Sequence, residues 1–245
     1  MTDGRIVAFG LTKVFGQTTA VDHLSFAVRP GRVTAILGPQ RSSRTTILRH
    51  LLNLERPTAG CIMMDGFVYP DPLDPSAAVG PPLEAGVEMD PPDNMTAAGC
   101  VGAHAQWRCG HGRTPVLRAS ESPELVQLNA ADQPTGAGFA ADEWRRLRMA
   151  AALVPDPRFL VLDEPDRGLN AVGLRWMQAL VGHLTAAGHT IVFVSRTPSY
   201  VRLLADDVVE IVAGSRGTRH QTASRADRRG DIGCPPPPRP PIARS

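Results

Sequence analysis

The 245-residue sequence predicts an α/β fold built on a mainly parallel sheet. Two observations carry that prediction. Short apolar runs at 33–37, 158–162, 190–194 and 207–212 alternate, over the second half of the chain, with longer segments of helical periodicity. That order lays parallel strands between covering helices. The run at 33–37 is also followed by the turn-rich GPQRSSRTT and then by Ile47, Leu48, Leu51, Leu52 and Leu54 at helical spacing. Strand, turn and helix in this sequence make the unit that places phosphate at a helix N-terminus. A chain of this length buries roughly 70–75% of the surface its unfolded form exposes, so its core needs no staple.

Each element has its own signal. IVAFGLTKVF and HLSFAV are strand candidates, separated by Gly16 and closed by Arg29-Pro30-Gly31-Arg32. Between 69 and 92 the density of proline forbids long helices and central strands. Residues 93–135 are weakly patterned and rich in glycine, alanine and polar residues. DEWRRLRMAAALV restores order as a helix, with acids in its first turn and Pro155 as terminator. The strand at 158–162 runs into Asp163-Glu164-Pro165, a helix spans about 171–187 until Gly188, and the strand at 190–194 follows. A helix-like segment and the strand 207–212 complete the pattern. After Gly214 the apolar periodicity ends. CPPPPRPPIARS, with six prolines in twelve residues, reads as polyproline-like or disordered, or more sharply as a docking segment for a proline-binding partner.

Composition narrows the class. At 42% hydrophobic and 20% charged, the chain is neither collagen-like, coiled-coil nor wholly disordered. It has no run of 18 apolar residues, and MTDGRIVAFG has no apolar signal region. The expectation is a soluble cytoplasmic protein. Lys13 is the only lysine, and the other 25 basic residues are arginine. From residue 214 onward 7 arginines face 2 aspartates, which leaves 19 basic and 22 acidic groups on residues 1–213. An acidic body with a basic tail argues against a nucleic-acid-binding face. Cys61, Cys100, Cys109 and Cys234 show no paired spacing, and Cys100, His104, Cys109 and His111 fit no zinc-ligand plan.

Two segments carry chemistry. The phosphate-loop pattern is Gly-x4-Gly-Lys-Ser/Thr. Gly38-Pro39-Gln40-Arg41-Ser42-Ser43-Arg44-Thr45 keeps the first glycine and the closing threonine, with Ser43 for the second glycine and Arg44 for the lysine. The apolar strand ending in Asp163 and Glu164 delivers two carboxylates to the crevice at the end of a parallel sheet. There one can hold Mg²⁺ and the other can polarise a water.

Taken together, in this order and about 120 residues apart, the two segments resemble an ABC transporter nucleotide-binding subunit. LTKVFGQTTAVDHLSFAVRPGRV, LLNLERPTAG and AAALVPDPRFLVLDEPDRGLNAVGLRW carry the resemblance, which covers most of residues 4–213. It is similar in flavour to single-domain bacterial subunits of exporters, including drug-resistance types. The resemblance implies a P-loop NTPase core, an N-terminal antiparallel β part and a small helical subdomain at about 85–152, all within a domain at 1–213. The tail is 214–245. ATP and Mg²⁺ are the implied cofactors. A membrane permease and a second nucleotide-binding subunit are the implied partners, at the inner face of the plasma membrane, with no nucleic acid.

Roles follow by matching position. Phe15 stands where an aromatic stacks on adenine. Gly38, Gln40, Arg41, Ser43, Arg44, Thr45 and Thr46 form the phosphate loop. Thr45 and Asp163 match the Mg²⁺ ligands and Glu164 the catalytic base. Glu84 falls where a glutamine senses the γ-phosphate and the membrane partner. Residues 140–145 fall at the signature loop, Leu169-Asn170-Ala171 where Leu-Asp-Pro is usual, and Arg196 where a switch histidine contacts the γ-phosphate.

The departures fall on working parts. Arg44 has a flat fork in place of a compact ammonium, and Ser43 gives up the backbone freedom of glycine. Ala140 replaces the signature serine, and Asp142 puts a carboxylate where a partner's γ-phosphate docks. Arg196 cannot take the neutral state of histidine. One transition-state charge contact is worth roughly 3–4 kcal/mol, so losing several predicts hydrolysis near background. Three readings stay open at this point: a working transport ATPase, a pseudo-ATPase serving as scaffold or regulatory subunit, and a decayed reading frame.

Overall fold

The computed structural model describes residues 5–38, 43–64, 66–69, 141–153, 157–212 and 219–224. Its strands are β1 (Ile6–Phe15), β2 (Thr18–Val28), β3 (Val33–Leu37), β4 (Ala59–Met64), β5 (Phe67–Tyr69), β6 (Phe159–Asp163), β7 (Thr190–Ser195), β8 (Asp207–Val212) and β9 (Arg219–Ser224). Among the described residues four helices accompany them: α1 (Arg44–Leu51), α2 (Ala141–Leu153), α3 (Ala171–Ala186) and α4 (Pro198–Leu204).

The strands form two sheets. One is four-stranded and antiparallel, in the order β2-β1-β4-β5. The other has the order β6-β7-β3-β8-β9; its first four strands are parallel and β9 closes the edge antiparallel to β8. The α/β class with a mainly parallel sheet and an N-terminal antiparallel part is therefore present as expected.

Alternation within the parallel strands divides the core in two. Val33 and Ala35, Leu160 and Leu162, and Ile191 and Phe193 pack under α2, α3 and α4. Ile36, Phe159, Val161, Val192 and Val194 turn to the opposite face. There they meet Ile47, Leu48 and Leu51 of α1 and Ile6, Leu11, Leu24 and Val28 of the antiparallel sheet. Strands buried on both faces must be apolar throughout, which is why they read as unbroken runs rather than alternating ones. Each fully buried leucine, valine or phenylalanine contributes about 1.5–3 kcal/mol.

Helix α3 buries Trp176, Met177, Leu180, Val181 and Leu184, the stripe expected of a helix lying on a sheet. The antiparallel sheet needs Gly60 at the β1–β4 crossing. Its φ is +84°, and a Cβ there would stand 2.4 Å from the carbonyl oxygens of Phe9 and Gly10. No other residue fits that approach.

Two features depart from the sequence reading. Strands β4 and β5 extend the antiparallel sheet although neither has a strong local signal. Strand β9 lies inside the span 214–245 read as a tail, and its register from Asp207↔Ser224 to Val212↔Arg219 carries the sheet past residue 213. Main-chain pairing to an exposed strand edge requires no apolar pattern, so hydropathy gives no warning of it. Apart from α2, the region of the expected helical subdomain lies outside the described residues.

Candidate functional site

The site is built by strand register. In the parallel sheet Leu37 pairs with Ser195, and Asp163 pairs with Val194. The residues that follow each strand, Gly38, Glu164 and Arg196, therefore emerge at one end of three adjacent strands. This is the carboxyl end, where ligands of open α/β sheets bind. Helix α1 starts from the same end. Ser43 occupies its N-cap without a side-chain cap, and no acidic residue stands in its first turn. The helix start thus carries no carboxylate of its own to oppose an anion.

Arg44, the first residue of α1, is buried, and its Nη2 lies 3.5 Å from Glu164 Oε1. Arg196 places Nε 2.9 Å from the same oxygen. Burial pulls the Arg44 pKa down from its usual value; Glu164 opposes that pull and Arg196 adds to it. A guanidinium stays charged in either case. Glu164 has a left-handed backbone, φ 40°, with its amide donating to the Val194 carbonyl at 3.1 Å and its carbonyl accepting from Arg167 N at 2.9 Å. Such a conformation costs on the order of 1–3 kcal/mol in a non-glycine residue and persists only where surrounding bonds enforce it.

The remaining expected residues divide clearly. Thr45 is exposed and Thr46 half-buried on the first turn of α1, while Asp163, half-buried, ends β6. Phe15 stands apart on the other sheet, at the end of β1, with 48% of its surface exposed and Lys13 Nζ 5.1 Å from its ring centre. Gln40, Arg41, Glu84 and Ala140 lie outside the described residues. Asn170 caps α3, accepting from the amides of Val172 and Gly173 at 3.0 and 2.9 Å.

Sequence reasoning missed Ser195, Asp166 and Tyr200, and the contacts that Arg145 makes. Ser195 donates its hydroxyl to both Asp166 oxygens, at 3.2 and 3.1 Å, and accepts from the Thr197 amide at 3.0 Å. This fixes the backbone on either side of Arg196. Arg145 of α2 donates to the carbonyls of Pro165, at 3.4 Å, and Arg167, tying that helix to the loop after the carboxylates. The buried Tyr200 sits nearby; burial, with help from the Asp166 charge, raises its pKa well above the usual phenol value. The only advance sign of Asp166 was its place two residues after Glu164. Ser195 had none, and Arg145 was marked only as the end of the stretch 140–145 matched to the signature loop, not for its reach to the loop after Glu164.

The sequence model described as ABC transporter matches residues 21–167, more than half of the chain. The chain belongs to the ABC transporter family. Relatives agree. The aliphatic sulfonates import ATP-binding protein SsuB 1 of Nocardia farcinica is 31% identical over 84% of this chain and 77% of its own length. A Methanosarcina mazei protein named as an ABC transporter ATP-binding protein is 29% identical over 83% of this chain. The chain spans only 41% of that relative's length. The ATP-binding cassette MJ0796, solved as a dimer in a post-hydrolysis state with ADP and Pi, superposes with a TM-score of 0.74. That alignment has 18% identity and covers 92% of this chain and all of the cassette. It establishes the P-loop NTPase fold.

Within this family fold, the donor set suits the expected ligands. The Thr45 hydroxyl and the Asp163 carboxylate are hard oxygen donors of the kind Mg²⁺ accepts. The N-terminal end of α1 and the Arg44 cation suit phosphate oxygens.

Proposed function

We propose that this chain is the ATP-binding subunit of a membrane transport complex. It pairs with a second nucleotide-binding subunit and works on a separate permease at the cytoplasmic face of the plasma membrane. The convergence of Arg44, Asp163, Glu164 and Arg196 at the carboxyl ends of β3, β6 and β7 supports this reading above all else. Among the described residues no helix is long and apolar enough to cross a membrane. The quoted N-terminal and carboxylate-strand segments favour an exporter of drug-resistance type.

In this reading the α1 amides and Arg44 bind the nucleotide phosphates, Thr45 and Asp163 hold Mg²⁺, and Phe15 offers its exposed ring to adenine. Glu84, by its match to the family pattern, takes the part of the glutamine that senses the γ-phosphate and the permease. Bound Mg²⁺ supplies positive charge to the phosphate oxygens. In hydrolysis a water oxygen bonds to the γ-phosphorus while its proton passes to Glu164. The bridging P–O bond breaks, and its electron pair leaves with ADP. Turnover is slow, because Arg44 and Arg196 already occupy the Glu164 carboxylate. That occupancy favours a subunit that binds nucleotide more readily than it hydrolyses it. The two continuous cores count against a decayed reading frame.

The test is thermal unfolding with and without Mg²⁺-ATP. Ligand at 100 times its Kd adds about 2.7 kcal/mol, a rise of several degrees for a domain of this size. Asp163→Ala and Arg44→Ala are expected to abolish that rise. A cooperative transition indifferent to Mg²⁺-ATP would sink the reading.

A further inference from the structure

Two guanidinium groups converge on one oxygen of Glu164, and they differ in freedom. Arg44 is rooted in the first turn of α1 with a side chain only 8% exposed. Arg196 lies just past β7 with 38% of its side chain exposed, and it makes the shorter contact, 2.9 Å. Neither contact is accidental in its backbone. Glu164 N is bonded to the Val194 carbonyl, and the Ser195–Asp166–Thr197 bonds fix the turn that carries Arg196. Two pinned backbones thus aim a cation and a carboxylate at each other.

While Arg196 Nε and Arg44 Nη2 both hold Glu164 Oε1, the lone pairs of that oxygen are engaged and it competes poorly for a proton from water. Protonation changes cannot open the pair from the arginine side, since a guanidinium keeps its charge throughout the accessible range. A competing anion can. Phosphate oxygens match the guanidinium fork and carry more charge than a single carboxylate. The exposed face of Arg196 leaves room for one to arrive, close to the α1 N-terminus.

We propose that Arg196 is a positioning residue that clamps Glu164 out of use and yields it only when a nucleotide phosphate takes over the guanidinium. The proposal deepens the ATP-binding reading and rests on it. It assigns Arg196 an inhibitory role: the guanidinium is shared between Glu164 and the arriving phosphate, so the carboxylate is only partly released when nucleotide is bound and turnover stays slow.

The full chain is compared with Arg196→Gln, Arg196→Lys and Glu164→Gln, and with Arg202→Ala as an exposed-arginine control on α4. Three readouts are taken: Mg²⁺-ATP binding by fluorescent-nucleotide displacement, phosphate release, and the nucleotide-free unfolding midpoint. In the double-mutant cycle of Arg196→Gln with Glu164→Gln, the combined fall in Tm should be clearly smaller than the sum of the single falls. Phosphate release should rise at least tenfold in Arg196→Gln with Mg²⁺-ATP binding retained. Arg196→Lys, which keeps the cation, should rise less than threefold.

Additive Tm effects overturn the clamp whatever the nucleotide does. Retained binding with unchanged or lower turnover in Arg196→Gln also overturns it. Failure of the unsubstituted chain to bind Mg²⁺-ATP overturns the ATP-binding reading instead, and the release step falls with it.

Discussion

His50 sits on α1 with 3% of its surface exposed, its Nδ1 donating to the Glu55 carbonyl at 2.7 Å. Burial lowers its pKa from 6.5, while the Glu55 carbonyl and carboxylate oppose the shift and Lys13 adds to it. The folded chain therefore binds the proton less readily than the unfolded one. The stability His50 contributes is fully present above the unfolded pKa of about 6.5 and is lost as pH falls below it toward the lowered folded value. Between pH 7.5 and 5.5 the natural chain should lose more Tm than His50→Gln, which keeps an N–H donor but does not titrate. Equal losses would assign the pH response elsewhere. The same scale shows what the sequence could disclose of the site. Arg44, Asp163 and Glu164 were legible because each follows an apolar strand or opens a helix. The meeting of Arg196 with Glu164 was not, because it depends on the parallel register of β6 against β7. No local pattern encodes a contact between residues more than thirty positions apart.

At the scale of elements, α3 shows how a single side chain defines a boundary. Asn170 accepts from two of the amides that an α-helix leaves without internal partners. The first turn has no acidic residue to add electrostatic help. Asn170→Ala should therefore cost about 1 kcal/mol, a fall of roughly 2–4 °C in Tm for a chain of this size. Asn170→Asp should match or exceed the natural chain, since a carboxylate caps equally well and faces the positive end of the helix. A Tm unchanged in Asn170→Ala would show that packing of Trp176, Met177 and Leu180 alone defines where α3 begins. Helices of this kind were readable in advance, as were β3, β6, β7 and β8, because burial on one stripe or on both faces leaves a strong apolar period. Strands β4 and β5 were not, since a short strand on a half-buried sheet alternates over too few residues to stand out. Strand β9 is held by pairing rather than by composition and left no trace.

At the scale of the whole molecule, the two sheets are joined by packing across α1 and by a polar tie at the far end from the site. Arg29, just past β2, donates Nε and Nη2 to the two carboxylate oxygens of Asp207 at 2.8 and 2.6 Å, across 178 residues of sequence. Asp207 opens β8 with a side chain only 5% exposed, whereas Arg29 keeps 37% of its side chain in solvent. Next to it Arg32 reaches Asp206 at 3.3 Å, but that pair is open to water, with exposures of 49% and 32%. The two neighbouring pairs therefore make different predictions. Removing one partner of a buried, doubly bonded pair strands the other charge and costs up to 3–5 kcal/mol. Solvent around Arg29 screens part of that, so Asp207→Asn should lose about 2 kcal/mol, or roughly 4–8 °C in Tm. Arg32→Gln should lose less than about 1 kcal/mol, as exposed pairs do. Arg29→Met combined with Asp207→Asn should cost less than the two separate losses added together, because the second change removes a charge the first has already stranded. Equal losses for Asp207→Asn and Arg32→Gln would mean that the sheets are held in register by the apolar contacts through α1 alone.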